Sequence, residues 1–124
     1  MRLGFAGLAT LAVIVATPAH ASPDNVVGRW LNARETGFFE ISRCGDSVCG
    51  KIIGGKANGG PERDVKNPDP SLRRRPLVGL QFMEGYRRTD TGWVGGRIYD
   101  PGRGQWFRSE LIPQANGTLH MKGC

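Results

Sequence analysis

The run from Trp93 to Pro113, WVGGRIYDPGRGQWFRSELIP, restricts most what this chain can become. Two arms of β-branched, aromatic and apolar residues flank Asp100-Pro101-Gly102-Arg103-Gly104. Proline presets one turn angle and the two glycines accept positive φ, so the run reads as a β-hairpin. Its arms are long enough to pass through the middle of a sheet. Beyond the N-terminal leader no segment has a helical hydrophobic period, so an antiparallel all-β protein is expected.

The remaining chain carries the same punctuation. Val26 to Leu31 reads as a first strand and Phe38 to Arg43 as a second, after a turn near Thr36-Gly37. In the second, Phe39 and Ile41 share one face while Glu40 and Ser42 share the other, the alternation of a strand wet on one side. A short third strand covers Gly50 to Ile53. A fourth covers Leu77 to Phe82, with Val78, Leu80 and Phe82 on one face, and continues to Tyr86 past Gly85, which invites a bulge. Thr89 to Gly92 turns the chain into the central hairpin. Gln114-Ala115-Asn116-Gly117 turns it out again into a last strand, Thr118 to Gly123, with Leu119 and Met121 on one side. About seven strands joined mostly by tight turns form a meander, which closes naturally into a barrel. Placing Tyr99 opposite Gln105 sets Arg97 against Phe107 and Ile98 against Trp106, and a slip of one residue changes each of these assignments.

At 124 residues there is room for one domain. Met1-Arg2 is a positive n-region, Leu3 to Ala16 is apolar and uncharged, and Ala19-His20-Ala21 has the small-x-small form of a signal-peptidase site. The apolar run is shorter than the roughly 20 residues that span a bilayer. A signal peptide over residues 1–21 and a single barrel domain over residues 22–124 are therefore expected, with a mature chain from Ser22, a periplasmic or secreted location and no transmembrane span after cleavage. Cleavage removes Arg2 and no acid, so the formal charge falls from +6 to +5. Arg73-Arg74-Arg75 and Arg87-Arg88 are the densest basic runs. Nucleic-acid binding needs such charges gathered on one face with aromatic platforms, and a secreted protein rarely meets nucleic acid, so arginines on a solvated loop are expected and no nucleic-acid partner.

Of the three cysteines, Cys44 and Cys49 flank the turn-like Gly45-Asp46-Ser47-Val48. A four-residue loop sets its flanking residues opposite each other within disulfide reach, and an oxidising compartment favours the bond. Closing so short a loop contributes about 2 kcal/mol and pins the hairpin register. That leaves Cys124, a candidate for a disulfide-linked dimer.

Catalytic signatures are missing. His120 is the only histidine of the mature chain, too few for a metal site. There is no Gly-x-Ser-x-Gly elbow, no phosphate-cradling glycine loop, and no readable pairing among Glu35, Glu40, Glu84, Asp90 and Glu110. No enzyme activity, cofactor or metal is expected. The candidate binding residues are Trp30, Arg97, Tyr99 and Trp106. Trp30 serves as barrel floor or stacking surface; Arg97 is either a solvated strand residue or an inward charge paired with Glu110 or a ligand headgroup; Tyr99 and Trp106 border the hairpin turn as a rim. The stretch from Gly54 to Pro76 is a long loop almost free of apolar residues, and such loops inside compact domains tend to be functional or disordered. From Asp64 on it looks ordered: Asn67-Pro68 and Asp69-Pro70 initiate turns, and Asp64 or Asp69 can pair with Arg73 or Arg75. Asp64, Asn67, Arg73 and Arg75 are the candidate contacts of a lid folded against the sheet.

Gly28-x-Trp30 on the first strand is similar to the Gly-x-Trp of lipocalins and fatty-acid-binding proteins. A fuller resemblance is to a family of secreted bacterial proteins known as domain of unknown function 2147. It is carried by Gly28-x-Trp30, by Cys44-Gly45-Asp46-x-x-Cys49-Gly50-Lys51-Ile52, and by Lys66-Asn67-Pro68-Asp69-Pro70 leading into Arg73-Arg74-Arg75-Pro76-Leu77-x-Gly79. Gly95-Gly96-Arg97-Ile98-Tyr99-Asp100-Pro101 and Gly117-Thr118-Leu119 complete it. The resemblance implies a small lipocalin-like barrel outside the cytoplasm with no established activity. Members of that family usually continue past the Gly123 position into another strand, so an unclosed barrel with an open edge is expected here. Two functions follow as expectations. One is a binding module holding a small hydrophobic or amphipathic ligand in the barrel mouth under the Asp64–Pro76 loop. The alternative is an envelope protein-interaction module with a filled core, contacting its partner through the Arg73–Arg75 cluster.

Overall fold

The computed structural model describes residues 21–55 and 62–124; the apolar leader stretch and the first half of the long loop lie mostly outside them. Eight antiparallel strands follow a short 3-10 turn at Pro23–Val26: β1 (Gly28–Leu31), β2 (Gly37–Cys44), β3 (Ser47–Gly55), β4 (Gln81–Glu84), β5 (Arg87–Arg88), β6 (Trp93–Asp100), β7 (Gln105–Pro113) and β8 (Leu119–Gly123). They form one sheet in the order β1-β2-β3-β4-β6-β7-β8, with β5 pairing β6 beside β4. The sheet is the expected meander curled into an open barrel: among the described residues β1 pairs only β2 and β8 only β7.

The curl follows from bulges. Between β3 and β4 the register shifts at Gly50/Lys51, which lets the adjacent Phe82 and Met83 both be buried. Met83 lies directly over Gly50, where any side chain would collide with it. A second shift between Trp93 and Gly96 brings the Tyr86 ring flat over Gly96. The core gathers Phe39, Ile41, Val48, Ile52, Phe82, Met83, Tyr86, Trp93 and Leu111. Inside it the Tyr86 hydroxyl donates to Ser109 Oγ at 2.8 Å, so neither buried hydroxyl is left without a partner.

The topology makes the two barrel ends unlike. At one end the 3-10 turn is a plug. Its Ser22 cap accepts from Asp24 N, Trp93 Nε1 donates to the Pro23 carbonyl at 2.9 Å, and Trp30 Nε1 donates to the Val26 carbonyl at 2.8 Å. Trp93 and Val26 are fully buried there. The other end collects the β1–β2 turn, the end of β3, the long loop, the start of β4, the β6–β7 turn and the end of β8.

Four sequence expectations are corrected. The first strand begins at Gly28, because Pro23 and the Ser22 cap start a 3-10 turn that ends at Val26. The fourth begins at Gln81, not Leu77: Leu80 N donates back to the Leu77 carbonyl and Gly79 takes φ +97°, so the chain turns and Val78 is half exposed rather than inward. The β2–β3 turn holds two residues, Gly45-Asp46, with Cys44 opposite Ser47 and Cys49 opposite Ser42. The Cys44–Cys49 disulfide is present, but as a diagonal brace with Cα atoms 5.9 Å apart. In the central hairpin Tyr99 faces Trp106, Ile98 faces Phe107 and Arg97 faces Arg108. The Asp100 carbonyl accepts from Gly104 N at 2.8 Å, which closes the turn one residue later than expected.

Candidate functional site

The unplugged end holds a cavity of about 390 Å³. Its walls are Phe39, Ile52, Phe82, Ile98, Phe107 and Met121, one or more from each of β2, β3, β4, β6, β7 and β8. Each follows from strand alternation: Phe39 pairs with Ile52, and Ile98 with Phe107. Phe39 and Phe82 meet edge to face at 5.6 Å, which fixes the deep wall. The rim is mixed. Phe38 is 51% exposed, and Asn32, Asp100, Arg103 and the exposed Cys124 stand beside it. The Arg103 guanidinium lies 3.8 Å from Asp100 and 5.8 Å from the Phe107 ring centre, with its side chain largely in solvent. Asp100 also holds the turn, its Oδ1 accepting from Gly102 N at 2.9 Å. Apolar walls below a few polar groups at the opening suit an amphipathic small molecule.

Residues 62–76 do not line this cavity. They form a strap bound to the sheet beside it, and a single buried carboxylate fastens the strap. Asp64 is fully buried; its Oδ1 accepts from the Tyr99 hydroxyl at 2.6 Å and its Oδ2 from Asn67 Nδ2 and Arg75 Nε, each at 2.8 Å. The chain doubles back on itself, with Asp64 N donating to the Arg75 carbonyl and Arg73 Nε to the Asn67 carbonyl. Asn67 Oδ1 accepts from Asp69 N, and Asp69 Oδ1 accepts from both Ser71 N and Ser71 Oγ. Those serine bonds hold the Asp69 carboxyl below its usual range. The Lys66 carbonyl sits against Gly104, where no side chain has room. Burial, and then the Asp64 carboxylate as acceptor and neighbouring charge, push the Tyr99 phenol up to about 12. Asp64, Asn67, Arg73 and Arg75 are thus brought together, with the ion pair Asp64–Arg75, as a clamp and not as a cover over the mouth.

Arg97 and Trp106 stand on the other side of the wall. Arg97 Nη2 and Nε reach Glu84 Oε2 at 2.8 and 3.1 Å, and its guanidinium stacks 4.1 Å above the Trp106 ring. The Arg97 bond is the main reason the Glu84 carboxyl sits low. Trp106 in turn lies 5.3 Å from Tyr99. Arg97 is solvated and paired with Glu84, not Glu110. Trp30 packs at the plugged end, so of the four rim candidates only Tyr99 also borders the cavity. His120 is exposed on β8. The wall residues Ile98 and Phe107 were missed because the sequence register was one residue off; the hairpin alternation held their signal. Asn32 and Arg103 carry no sequence signal beyond lying in turns.

An antiparallel meander rolled into an open barrel, plugged by an N-terminal 3-10 turn and hollow at the opposite end, is a lipocalin-like fold. A solved structure described as "Protein HP1028 from the human pathogen Helicobacter pylori belongs to the lipocalin family" is similar, with a TM-score of 0.67 and 20% identity over 79% of this chain and 70% of that one. Residues 28–124 match the family model described as "Uncharacterized protein conserved in bacteria (DUF2147)", and the chain belongs to that family. No curated protein matches the sequence. Among the described residues no helix is long and apolar enough to cross a membrane. Together with the Cys44–Cys49 disulfide this is compatible with a compartment outside the cytoplasm.

Proposed function

We propose that this chain is a small periplasmic or secreted binding protein, exported by the signal peptide over residues 1–21, that holds one hydrophobic or amphipathic small molecule in the mouth of its barrel. The cavity carries this reading. A core packed tightly around Trp93 at one end is hollow at the other, and its 390 Å³ falls near the lower bound of the roughly 300–1,000 Å³ of small-molecule sites. That size suits one acyl chain or one compact ring system. Catalysis is not part of the proposal: the polar groups at the rim, Asn32, Asp100 and Arg103, orient a headgroup. An envelope protein-docking module with a filled core is the weaker reading, because the hollow mouth works against it.

The test is displacement of a fluorescent fatty-acid probe from the purified protein, beside an Ile98→Trp variant. Ile98 lines the cavity and is half-buried, so the larger ring fills the site from inside. Saturable uptake by the wild type, lost in the variant with its melting temperature kept, is the expected result. Absence of uptake by the wild type, or equal uptake by the variant, overturns the proposal.

A further inference from the structure

The hollow end of the barrel also gathers most of the exposed apolar side chains and a group of exposed cations. Among the described residues five large hydrophobics stay exposed; Leu31 and Phe38, at the β1 and β2 ends that flank their turn, and Val65 and Val78, in the connection from β3 to β4, lie at this end, and Val27 does not. Leu31 and Phe38 face each other across β1 and β2. The strap and the β6–β7 turn at the same end carry Arg63, Lys66, Arg73, Arg74 and Arg103, all exposed. Arg103 faces Asp100 at 3.8 Å, and Arg63 and Arg73 donate to backbone carbonyls, but the strap offers these cations little opposing charge. Its carboxylate Asp64 is buried and consumed by Tyr99, Asn67 and Arg75, and Asp69 is turned onto Ser71. Glu35 and Glu62 are the other exposed acids here, with Arg34 beside Glu35. At the plugged end Asp24 bridges two of the arginines, Arg43 at 2.9 Å and Arg88 at 2.6 Å.

Apolar side chains and cations together at the end where an apolar cavity opens fit a surface that is itself anionic above and apolar beneath. We propose that the mouth end docks on an anionic lipid surface, with Phe38 and Val65 in the headgroup layer and Lys66, Arg73 and Arg74 on the phosphates. Charge complementarity selects this occupant: each cation near such a surface contributes about fivefold in affinity. Because the mouth opens at the docked face, a ligand passes between cavity and bilayer without crossing water. That consequence rests on the ligand-binding reading above; the docking itself does not.

Co-sedimentation of the purified protein with phosphatidylglycerol/phosphatidylethanolamine vesicles, against phosphatidylcholine vesicles, tests the docking. Lys66→Gln/Arg74→Gln removes two cations whose side chains neither line the cavity nor fasten the strap; Arg87→Gln removes one at the far end. Binding to the anionic vesicles alone is expected, weakened about 30-fold in the double variant and unchanged in Arg87→Gln. In the wild type it falls as salt is raised from 0.05 to 0.5 M, by screening. Equal binding to both vesicles, none to either, loss in Arg87→Gln equal to that in the double variant, or insensitivity to salt overturns the proposal. So does capture of an acidic protein in place of vesicles. Fatty-acid probe uptake from solution by the double variant is expected to match the wild type, so a failure of ligand binding is read separately from a failure of docking.

Discussion

Replacing Tyr99 by Phe removes one oxygen and tests whether the strap is held by its buried carboxylate. Among the described residues the Tyr99 hydroxyl alone donates to Asp64 Oδ1, at 2.6 Å, and Asp64 is fully buried. A hydrogen bond to a charged group contributes about 1.5–3 kcal/mol, and the oxygen left behind has no route to water, so Tyr99→Phe is expected to lose about 2 kcal/mol. The same bond makes a second, signed expectation. In the folded protein burial and Asp64 push the Tyr99 phenol from 10.0 up to about 12, and burial pushes Tyr86 equally high. A raised phenol contributes stability in full below the unfolded value; above pH 10 the unfolded chain ionises while the folded one resists, and the contribution drains away until about pH 12. At pH 11 each of the two tyrosines therefore contributes about 1–2 kcal/mol less than at pH 8, roughly 3 kcal/mol for the pair. Urea unfolding followed by tryptophan fluorescence at pH 8 and pH 11, in a Cys124→Ser background to prevent thiol exchange, reads both quantities. The wild type should lose roughly 3 kcal/mol between the two pH values and Tyr99→Phe about half of that. A variant within about 0.5 kcal/mol of wild type at pH 8, or one with an undiminished alkaline loss, refutes the account of Asp64 as the strap's fastening.

Two further substitutions separate what looks important from what carries stability. Arg97→Ala deletes the Glu84 pair and the Trp106 stack, but the Arg97 side chain is more than half exposed, so chemical denaturation should detect a loss of about 1 kcal/mol or less. Reduction of Cys44–Cys49, or its replacement by a pair of alanines, closes no long loop and should cost about 2 kcal/mol in the same assay while leaving the far-ultraviolet spectrum that of a sheet.

Much of the fold is written locally in the chain, and the places where the reading slips have local causes. Phe39 and Ile41 announce β2 by alternation, and both are buried. The hairpin around Pro101 is visible for the same reason that its register is not. Asp100, Gly102 and Gly104 can each close a turn of slightly different length, and only the bond from Gly104 N to the Asp100 carbonyl decides among them. Leu77-Val78-Gly79-Leu80 satisfies the strand alternation, but Gly79 at φ +97° turns the chain there, and periodicity does not distinguish an apolar turn from an apolar strand. The pairing of Asp64 with Arg75 was among the few combinations the loop allowed. The identity of its partner on β6, Tyr99, depends on where the loop lands, which no short-range pattern encodes.

That landing decides the character of the mouth. A loop with almost no apolar residue gains little from burial, so directional bonds are its remaining means of attachment, and a charged acceptor is the strongest available. Asp64 accepts three such bonds at once, two from the strap itself and one from β6. The attachment is therefore specific in position, and it sets the Lys66 carbonyl on Gly104, beside the turn that carries Arg103. Had the strap been fastened by leucines it would lie across the apolar walls and fill them; fastened by a carboxylate on the flank, it leaves the cavity bounded by Phe39, Phe82, Ile98 and Phe107 open. It follows that loosening the strap and emptying the cavity are separable. Tyr99→Phe should leave probe uptake intact where Ile98→Trp abolishes it, and a variant that loses both together would mean that the strap shapes the cavity after all.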